Sequence, residues 1–411
     1  MTPQDPQLPL VVMLSYHTSP LEQPGQGDAG GMNVYVRRVS AALADLGHDV
    51  AVLIRRTSSE QRTVALPESP RVQVIPVTAG PAREATKEEQ MAWLPDFAMA
   101  ATAQVRDLTS AGRSAVLHSH YWMSGKAGVT IAAALGWPWL HSMHTIGAVK
   151  NARDDDADEP EQRLRAETEI GLRAGALISN TTIESAELIA YCSATDHRIH
   201  VIPPGVDHHI FRPDGAREWP TDDEHRLRLL FAGRFQPHKG PHVIIEALGL
   251  IHRVHHRLDE FDVHFTGAQS GARQLDLAHL AQQRGVLSAC TFTPPLSPER
   301  LARLMRAADV QLMPSYSESF GLIGVEAQAC GTPVLAHRVG GLTQAVEHGR
   351  SGRLVADLSP RSWSEALLAI ADDAAAWSAL SVSALDHAAG FSWTASAQQL
   401  SALYTRLLRL G

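Results

Sequence analysis

A short, wholly apolar run, Leu10-Val-Val-Met-Leu14, is followed by a change of period: Met32, Tyr35, Val36, Val39, Leu43 and Leu46 recur at helical spacing. The run predicts a buried parallel strand, and the second pattern predicts a helix with one apolar face. Strand-like runs then recur at 50–54, 72–77, 115–117, 138–141, 176–179 and 200–203, with helical stretches between them. A second series follows at 227–233, 263–267, 290–292, 310–314 and 333–336. Repeated strand–helix alternation predicts parallel sheets covered on both faces. Two such series predict an α/β protein of two Rossmann-like, doubly wound domains in tandem. The joint is expected near VIPPGVDHHIFRP, 201–213, where prolines and a glycine break the periodicity. Ligands of open α/β sheets bind beyond the carboxyl ends of the strands, so two such sheets facing each other are expected to share a cleft.

With 411 residues the chain can build two cores. A formal charge of −8 argues against nucleic acid as the main partner. The three cysteines, Cys192, Cys290 and Cys330, lack zinc-type spacing and fit a reducing compartment. No basic, long apolar N-terminal segment and no membrane-spanning run is present in the sequence, so a cytoplasmic protein is expected.

Between the first strand and helix lies GQGDAGGMNVYV, which contains Gly25-x-Gly27-x-x-Gly30, the spacing of a dinucleotide-binding turn. A strand, a glycine loop and a helix N-terminus together make an anion site. Two details weigh against a dinucleotide. Ten residues, 15–24, separate the strand from the first glycine. The second strand is followed by Arg55 and Arg56, not by an acid for a ribose hydroxyl. Those arginines would suit a 2′-phosphate, so on this element alone an NADP oxidoreductase stays open.

The second half carries more chemistry. FAGRFQPHKG places Arg234 and Lys239 between a strand and a helix. Two cations five residues apart can straddle a diphosphate, Arg as a fork and Lys as a point charge, though a solvated turn would look the same. In PSYSESFGLIGVEAQACGTPV, seven residues separate Glu318 from Glu326 at the opening of a helix. A glutamate there can face a ligand or merely complement the helix dipole.

The E-x7-E segment, the R-x4-K loop and the GGMN glycine loop resemble the retaining glycosyltransferases of family four, which have the GT-B fold. MLSYHTSPLEQPGQGDAGGMNVYV, HSHYWMSG, HTIGAVKN and GRFQPHKGP are similar, more narrowly, to the D-inositol-3-phosphate glycosyltransferases of mycothiol biosynthesis. The resemblance covers nearly the whole chain. It implies UDP-N-acetylglucosamine as donor and 1D-myo-inositol 3-phosphate as acceptor, with no cofactor required. It also implies a first, acceptor-binding domain of residues 1–207 completed by the C-terminal helix 393–411, a UDP-sugar domain of 208–392, and a homodimer.

The same resemblance assigns residues. Arg234, Lys239 and backbone N–H groups around Gly31 would hold the diphosphate, and Glu326 the ribose hydroxyls. Glu318 and His144 would orient the transferred sugar. Gln23 and Pro24 fall in the donor loop, and backbone around Leu296 would read the uracil; relatives often carry Arg at that position. On the acceptor side the matching positions are His17, Asp28, Ala29, Gly30, Gly31, Met32, Asn33, Lys87, Tyr121, Thr145 and Arg165. Cations with hydroxyl donors suit a phosphate monoester, although Lys87 and Arg165 by themselves read as solvated helix residues. The D-x-D within DDDADE, 154–159, reads as a solvated acidic turn, and no metal site is expected. The alternatives are a sibling transferase, such as a phosphatidylinositol mannosyltransferase or a sucrose-phosphate-synthase-like enzyme, and a non-catalytic sugar-nucleotide sensor.

Overall fold

A computed structural model describes residues 8–25, 29–110, 112–153, 158–221, 226–269 and 274–410. The chain divides into two units. The first comprises Met1–Glu22, Gly31–Pro203 and Trp393–Gly411; the second comprises Gln23–Gly30 and Pro204–Ser392. The division therefore falls between Pro203 and Pro204, not after residue 207. The loop Gln23–Gly30 counts with the second unit, where Gln23 Nε2 donates to the Pro295 carbonyl at 3.5 Å.

Among the described residues the first unit holds an eight-stranded sheet. Its strands are β1 (Leu10–Leu14), β2 (Val50–Arg55), β3 (Val64–Leu66), β4 (Ser69–Val77), β5 (Ala115–His120), β6 (Trp139–Ser142), β7 (Ala176–Ser179) and β8 (Ile199–Val201). Their order is β3-β4-β2-β1-β5-β6-β7-β8, parallel except for β3 against β4. Strand β3 was not legible in the pattern because two of its three residues face solvent. The order reverses at β1, which pairs with β2 on one side and β5 on the other. Helix Trp393–Leu410 packs on this unit with Ala397, Leu400 and Tyr404 fully buried. Polar contacts lock it there: Tyr404 Oη to His118 Nδ1 at 2.8 Å and Ser401 Oγ to His48 Nε2 at 2.7 Å.

The second unit holds a six-stranded sheet among the described residues. Its strands are β9 (Leu227–Ala232), β10 (Phe261–Thr266), β11 (Cys290–Thr293), β12 (Val310–Met313), β13 (Val334–His337) and β14 (Gly352–Val355). The order is β11-β10-β9-β12-β13-β14, all parallel, and it reverses between β9 and β12. Phe231, Phe261, Phe265, Ile244 and Trp363 form the centre of the core between this sheet and its helices. Strand β14, Gly-Arg-Leu-Val, escaped the apolar pattern because Gly352 and Arg353 interrupt it.

Candidate functional site

In each unit the reversal of strand order opens a crevice at the carboxyl ends of two neighbouring strands. In the second unit those strands are β9 and β12. Arg234 follows β9, and Lys239 closes the turn Pro237–Lys239. Gly240 is next, at φ 71°, and a Cβ there would lie 1.9 Å from the Pro314 carbonyl oxygen. Only glycine lets this turn press against the end of β12, and that contact sets Lys239 beside the following loop. Lys239 Nζ donates to Glu318 Oε1 at 2.5 Å, and Ser315 Oγ donates to the same oxygen at 3.2 Å. The pair is only partly exposed, 23% and 16%. The Glu318 carbonyl accepts from Gly341 N, which fixes the loop from the other side. Glu326 lies in the following helix, Leu322–Ala329, and is buried. Gly30 brings the glycine loop to the same place, since a Cβ on it would be 3.7 Å from the Arg234 guanidinium. Arg234, Lys239, Glu318 and Gly30 are thus local to one crevice. Leu296 is partly buried against the core beyond β11.

In the first unit the reversal lies between β1 and β5, and Tyr121 follows β5 directly. Tyr121 has φ 71° and His144 φ 61°, a left-handed backbone that costs side-chain-bearing residues of order 1–3 kcal/mol and concentrates at functional sites. His17, from the loop after β1, packs its ring 4.4 Å from that of Tyr121. Lys87 Nζ lies 6.0 Å and the Arg163 guanidinium carbon 5.1 Å from the same ring centroid. Arg163 donates to the Thr145 hydroxyl at 2.9 Å and carbonyl at 3.0 Å. It also pairs with Glu167 at 2.7 Å and Glu159 at 2.8 Å. Lys150 joins through Glu159 at 2.8 Å. Burial, then the field of Arg163, lowers the Lys150 pKa, with a smaller contribution from Lys87. Three cations against the two carboxylates Glu159 and Glu167, with hydroxyls beside them, leave an excess of cations that favours an anion at the end of β5.

Next to this cluster runs a line of imidazoles, His118 and His120 buried and His144 half-buried. His118 and His120 alternate on β5, and His120 Nδ1 meets His144 Nε2 at 3.0 Å. Burial lowers the pKa of His144 and of His118 to about 3 each, and that of His120 well below the usual value. These rings are neutral at physiological pH, so His144 can meet a sugar hydroxyl without carrying charge.

Three expectations change. Arg165 is not with the acceptor set: it is 75% exposed and pairs with Glu161 along the helix Glu161–Arg173. Arg163, two residues earlier, is the arginine that lies against Tyr121 and bonds Thr145. Asn33 is buried, and its amide is engaged by Thr18 Oγ1 at 2.6 Å and the Ser19 carbonyl at 2.7 Å, so it anchors the loop after β1. Glu159, in the supposedly solvated DDDADE turn, is held by Arg163 and Lys150. Although burial pushes its carboxyl up, those two cations bring its pKa below the usual range. Met32 packs against the first unit's core, Ala29 is buried, and Gly31 begins the helix Gly31–Asp45. Pro24 is half-buried in the glycine loop. Asp28 and residues 154–157 lie outside the described residues. A sign of Arg163 was present in the pattern. Arg163, Ala166, Glu167 and Ile170 stand at i, i+3, i+4 and i+7 and are the buried face of their helix, whereas Arg165 lies off that stripe.

Among the described residues no three His, Cys, Asp or Glu side chains are grouped to hold a metal ion. No single helix among them is long and apolar enough to cross a membrane.

Comparison with known proteins matches residues 30–205 to the family described as glycosyl transferase 4-like domain and residues 217–381 to glycosyl transferases group 1. The D-inositol 3-phosphate glycosyltransferase of Arthrobacter sp. (strain FB24) is 43% identical over 94% of this chain and 92% of its own. That of Thermobispora bispora is 41% identical over 97% and 95%. Among solved structures, sucrose-phosphate synthase from Thermosynechococcus elongatus has a TM-score of 0.88 at 29% identity, covering 98% of this chain and 100% of that one. HepE of Anabaena in complex with UDP-glucose has a TM-score of 0.74 at 18% identity, covering 97% and 100%, which is a likeness of fold.

Proposed function

Since the chain belongs to the D-inositol 3-phosphate glycosyltransferase family and has the GT-B fold, we propose that it moves N-acetylglucosamine from UDP-N-acetylglucosamine to 1D-myo-inositol 3-phosphate with retention. The observation that carries the acceptor is the approach of Lys87 and Arg163 to Tyr121, with Thr145 bonded to Arg163 and Lys150 joined to it through Glu159. A phosphate monoester, with nearly two negative charges and three acceptor oxygens, matches such a set. The product would enter mycothiol biosynthesis.

The donor reading rests on the Arg234–Lys239 loop and its glycine neighbour. In the transfer, the bond from the sugar C1 to the UDP oxygen breaks as the acceptor hydroxyl oxygen bonds to C1 on the same face. The hydroxyl proton passes to the departing β-phosphate, so no protein nucleophile is needed. Negative charge grows on UDP, and Arg234, Lys239 and the N-terminus of the helix at Gly31 are the groups to stabilise it. One such preorganised donor is worth about 3 kcal/mol in a dry site. Glu326 would accept from the ribose hydroxyls, and Glu318 and neutral His144 would orient the sugar. No metal enters this scheme. The enzyme would work in the cytoplasm as a homodimer, which analytical ultracentrifugation tests.

A second reading, a sibling transferase with a different acceptor, draws on the superposition with sucrose-phosphate synthase. UDP release from UDP-N-acetylglucosamine separates the two. Turnover with inositol 3-phosphate and little with inositol or inositol 1-phosphate supports the first reading; equal use of plain inositol overturns it.

A further inference from the structure

His144 has a part in the transfer proposed above, whereas His120, in contact with it, has none so far. The two rings meet through His120 Nδ1 and His144 Nε2 at 3.0 Å. Both are neutral, so one proton lies between those nitrogens, and its owner decides where the other protons sit. If His144 donated, the remaining proton of His120 would be on Nε2. That nitrogen is buried, with no hydrogen-bonding partner among the described residues. A buried N–H with no acceptor is among the rarest arrangements in folded proteins, rarer than an under-used acceptor. If His120 donates from Nδ1, its Nε2 is a bare acceptor and no N–H is orphaned. The proton of His144 then resides on Nδ1.

The His120 ring is also held in place. Its centroid lies 4.3 Å from that of His118, the rings tilted by 33°, and His118 is itself fixed between Tyr404 Oη at 2.8 Å and Ser142 Oγ at 2.9 Å. Tyr35 closes another side, with ring centroids 5.8 Å from His120 and 5.0 Å from His144. The chain from the C-terminal helix through His118 and His120 thus ends on His144, which stands on a left-handed backbone turn.

We infer that His120 is a positioning residue: it donates from Nδ1 to His144 Nε2 and fixes His144 as the Nδ1–H tautomer, a hydrogen-bond donor to a hydroxyl oxygen of the transferred sugar. The inference rests on the sugar-facing role given to His144 in the proposed function. Holding a histidine in one tautomer through its second nitrogen is a recurrent device, and loss of such a partner commonly costs roughly 10- to 100-fold in activity.

The test uses the full-length protein labelled with 15N at histidine. Long-range proton–nitrogen correlation at pH 7.5 should find His144 protonated on Nδ1 and bare on Nε2. His120→Leu should lower kcat by about 30-fold and leave UDP affinity within about threefold of wild type. His120→Asn, whose amide nitrogen stands where Nδ1 stood, should recover kcat to within about fivefold. A His144 proton on Nε2 in the wild type overturns the inference, as does a Leu variant with unchanged kcat. If His120→Leu does not fold, the wild-type tautomer and the Asn variant still decide. His144→Ala separates the two levels. An Ala variant with wild-type turnover overturns the sugar-facing role and the inference with it, whereas an inactive one leaves the tautomer as the deciding observation.

Discussion

The two crevices are built in opposite ways. In the second unit the chemistry sits on two adjacent loops: Arg234 and Lys239 come from one turn, and Lys239 meets Glu318 from the next strand in the sheet. In the first unit the cations come from three helices, Lys87 in Lys87–Ala92, far from Lys150 in Gly147–Arg153 and Arg163 in the next helix, Glu161–Arg173. They converge because β5 and β6 carry Tyr121 and Thr145 to the same end of the sheet. The second unit's polar groups are partly open, at 23% for Lys239, whereas Arg163 is 1% exposed. A site on a turn can lose a side chain and stay folded. A site made of buried ion pairs is also part of the core.

The largest effect should therefore come from Arg163→Ala. Removing Arg163 leaves the buried Glu167 without its cation and Glu159 with Lys150 alone, and breaking such a buried pair costs about 3–5 kcal/mol. Urea unfolding should show that loss. A loss below about 1 kcal/mol would mean that the first unit's charges are not structural.

Lys239→Ala and Arg234→Ala should do the reverse, cutting turnover by about 100-fold or more while circular dichroism and urea midpoints stay near wild type. Near-normal turnover in either variant would remove that residue from the donor site.

Lys87 tests whether the first unit's cluster serves an acceptor phosphate at all. Lys87→Ala should raise the inositol 3-phosphate KM by roughly 30-fold and leave calorimetric UDP affinity within a few-fold. An equal weakening of both ligands would erase the division of labour between the crevices.

Acid should open the first unit before the second. The pKa values of His118, His120, His141 and His144 are all depressed, by burial first. The unfolded chain binds more protons than the folded one between about pH 6.5 and pH 3, so stability falls as pH falls through that window. The second unit has His264, with a pKa lowered to about 4. Hydrogen exchange at pH 5 should show faster opening of β5 and β6 than of β9 and β12; the opposite order would contradict this account.

The smallest effect is expected at Arg165. Its exposed pair with Glu161 is worth about 0.3–0.5 kcal/mol, so Arg165→Ala should leave stability and acceptor KM nearly unchanged. A large rise in acceptor KM would return the role from Arg163 to Arg165.

Much of the molecule was legible in its pattern. The parallel strands buried on both faces read as apolar runs, and β1, β7 and β9 lie where those runs predict them. The exposed or interrupted strands β3 and β14 did not, because a strand covered on only one face, or broken by Gly and Arg, leaves no continuous run. The residues proposed for the donor were legible as a local group, because a turn between a strand and a helix keeps its spacing in sequence and in space. Linear spacing sets Arg163 on one stripe with Ala166, Glu167 and Ile170 and Arg165 off it, but could not show what that stripe meets. The two arginines are two residues apart, about 200° around a helix, and only packing decides which one faces Thr145 and Tyr121. Nor could it show that His120 bonds to His144, since that contact needs β5 and the turn after β6 to be neighbours. The sequence by itself determined the alternation of buried strands with helices and the residue types placed on each turn, because those depend on local period and residue type. The tertiary structure alone decided which charges are buried together and which nitrogen of a histidine meets which, because burial and hydrogen-bond partners are properties of the packed chain.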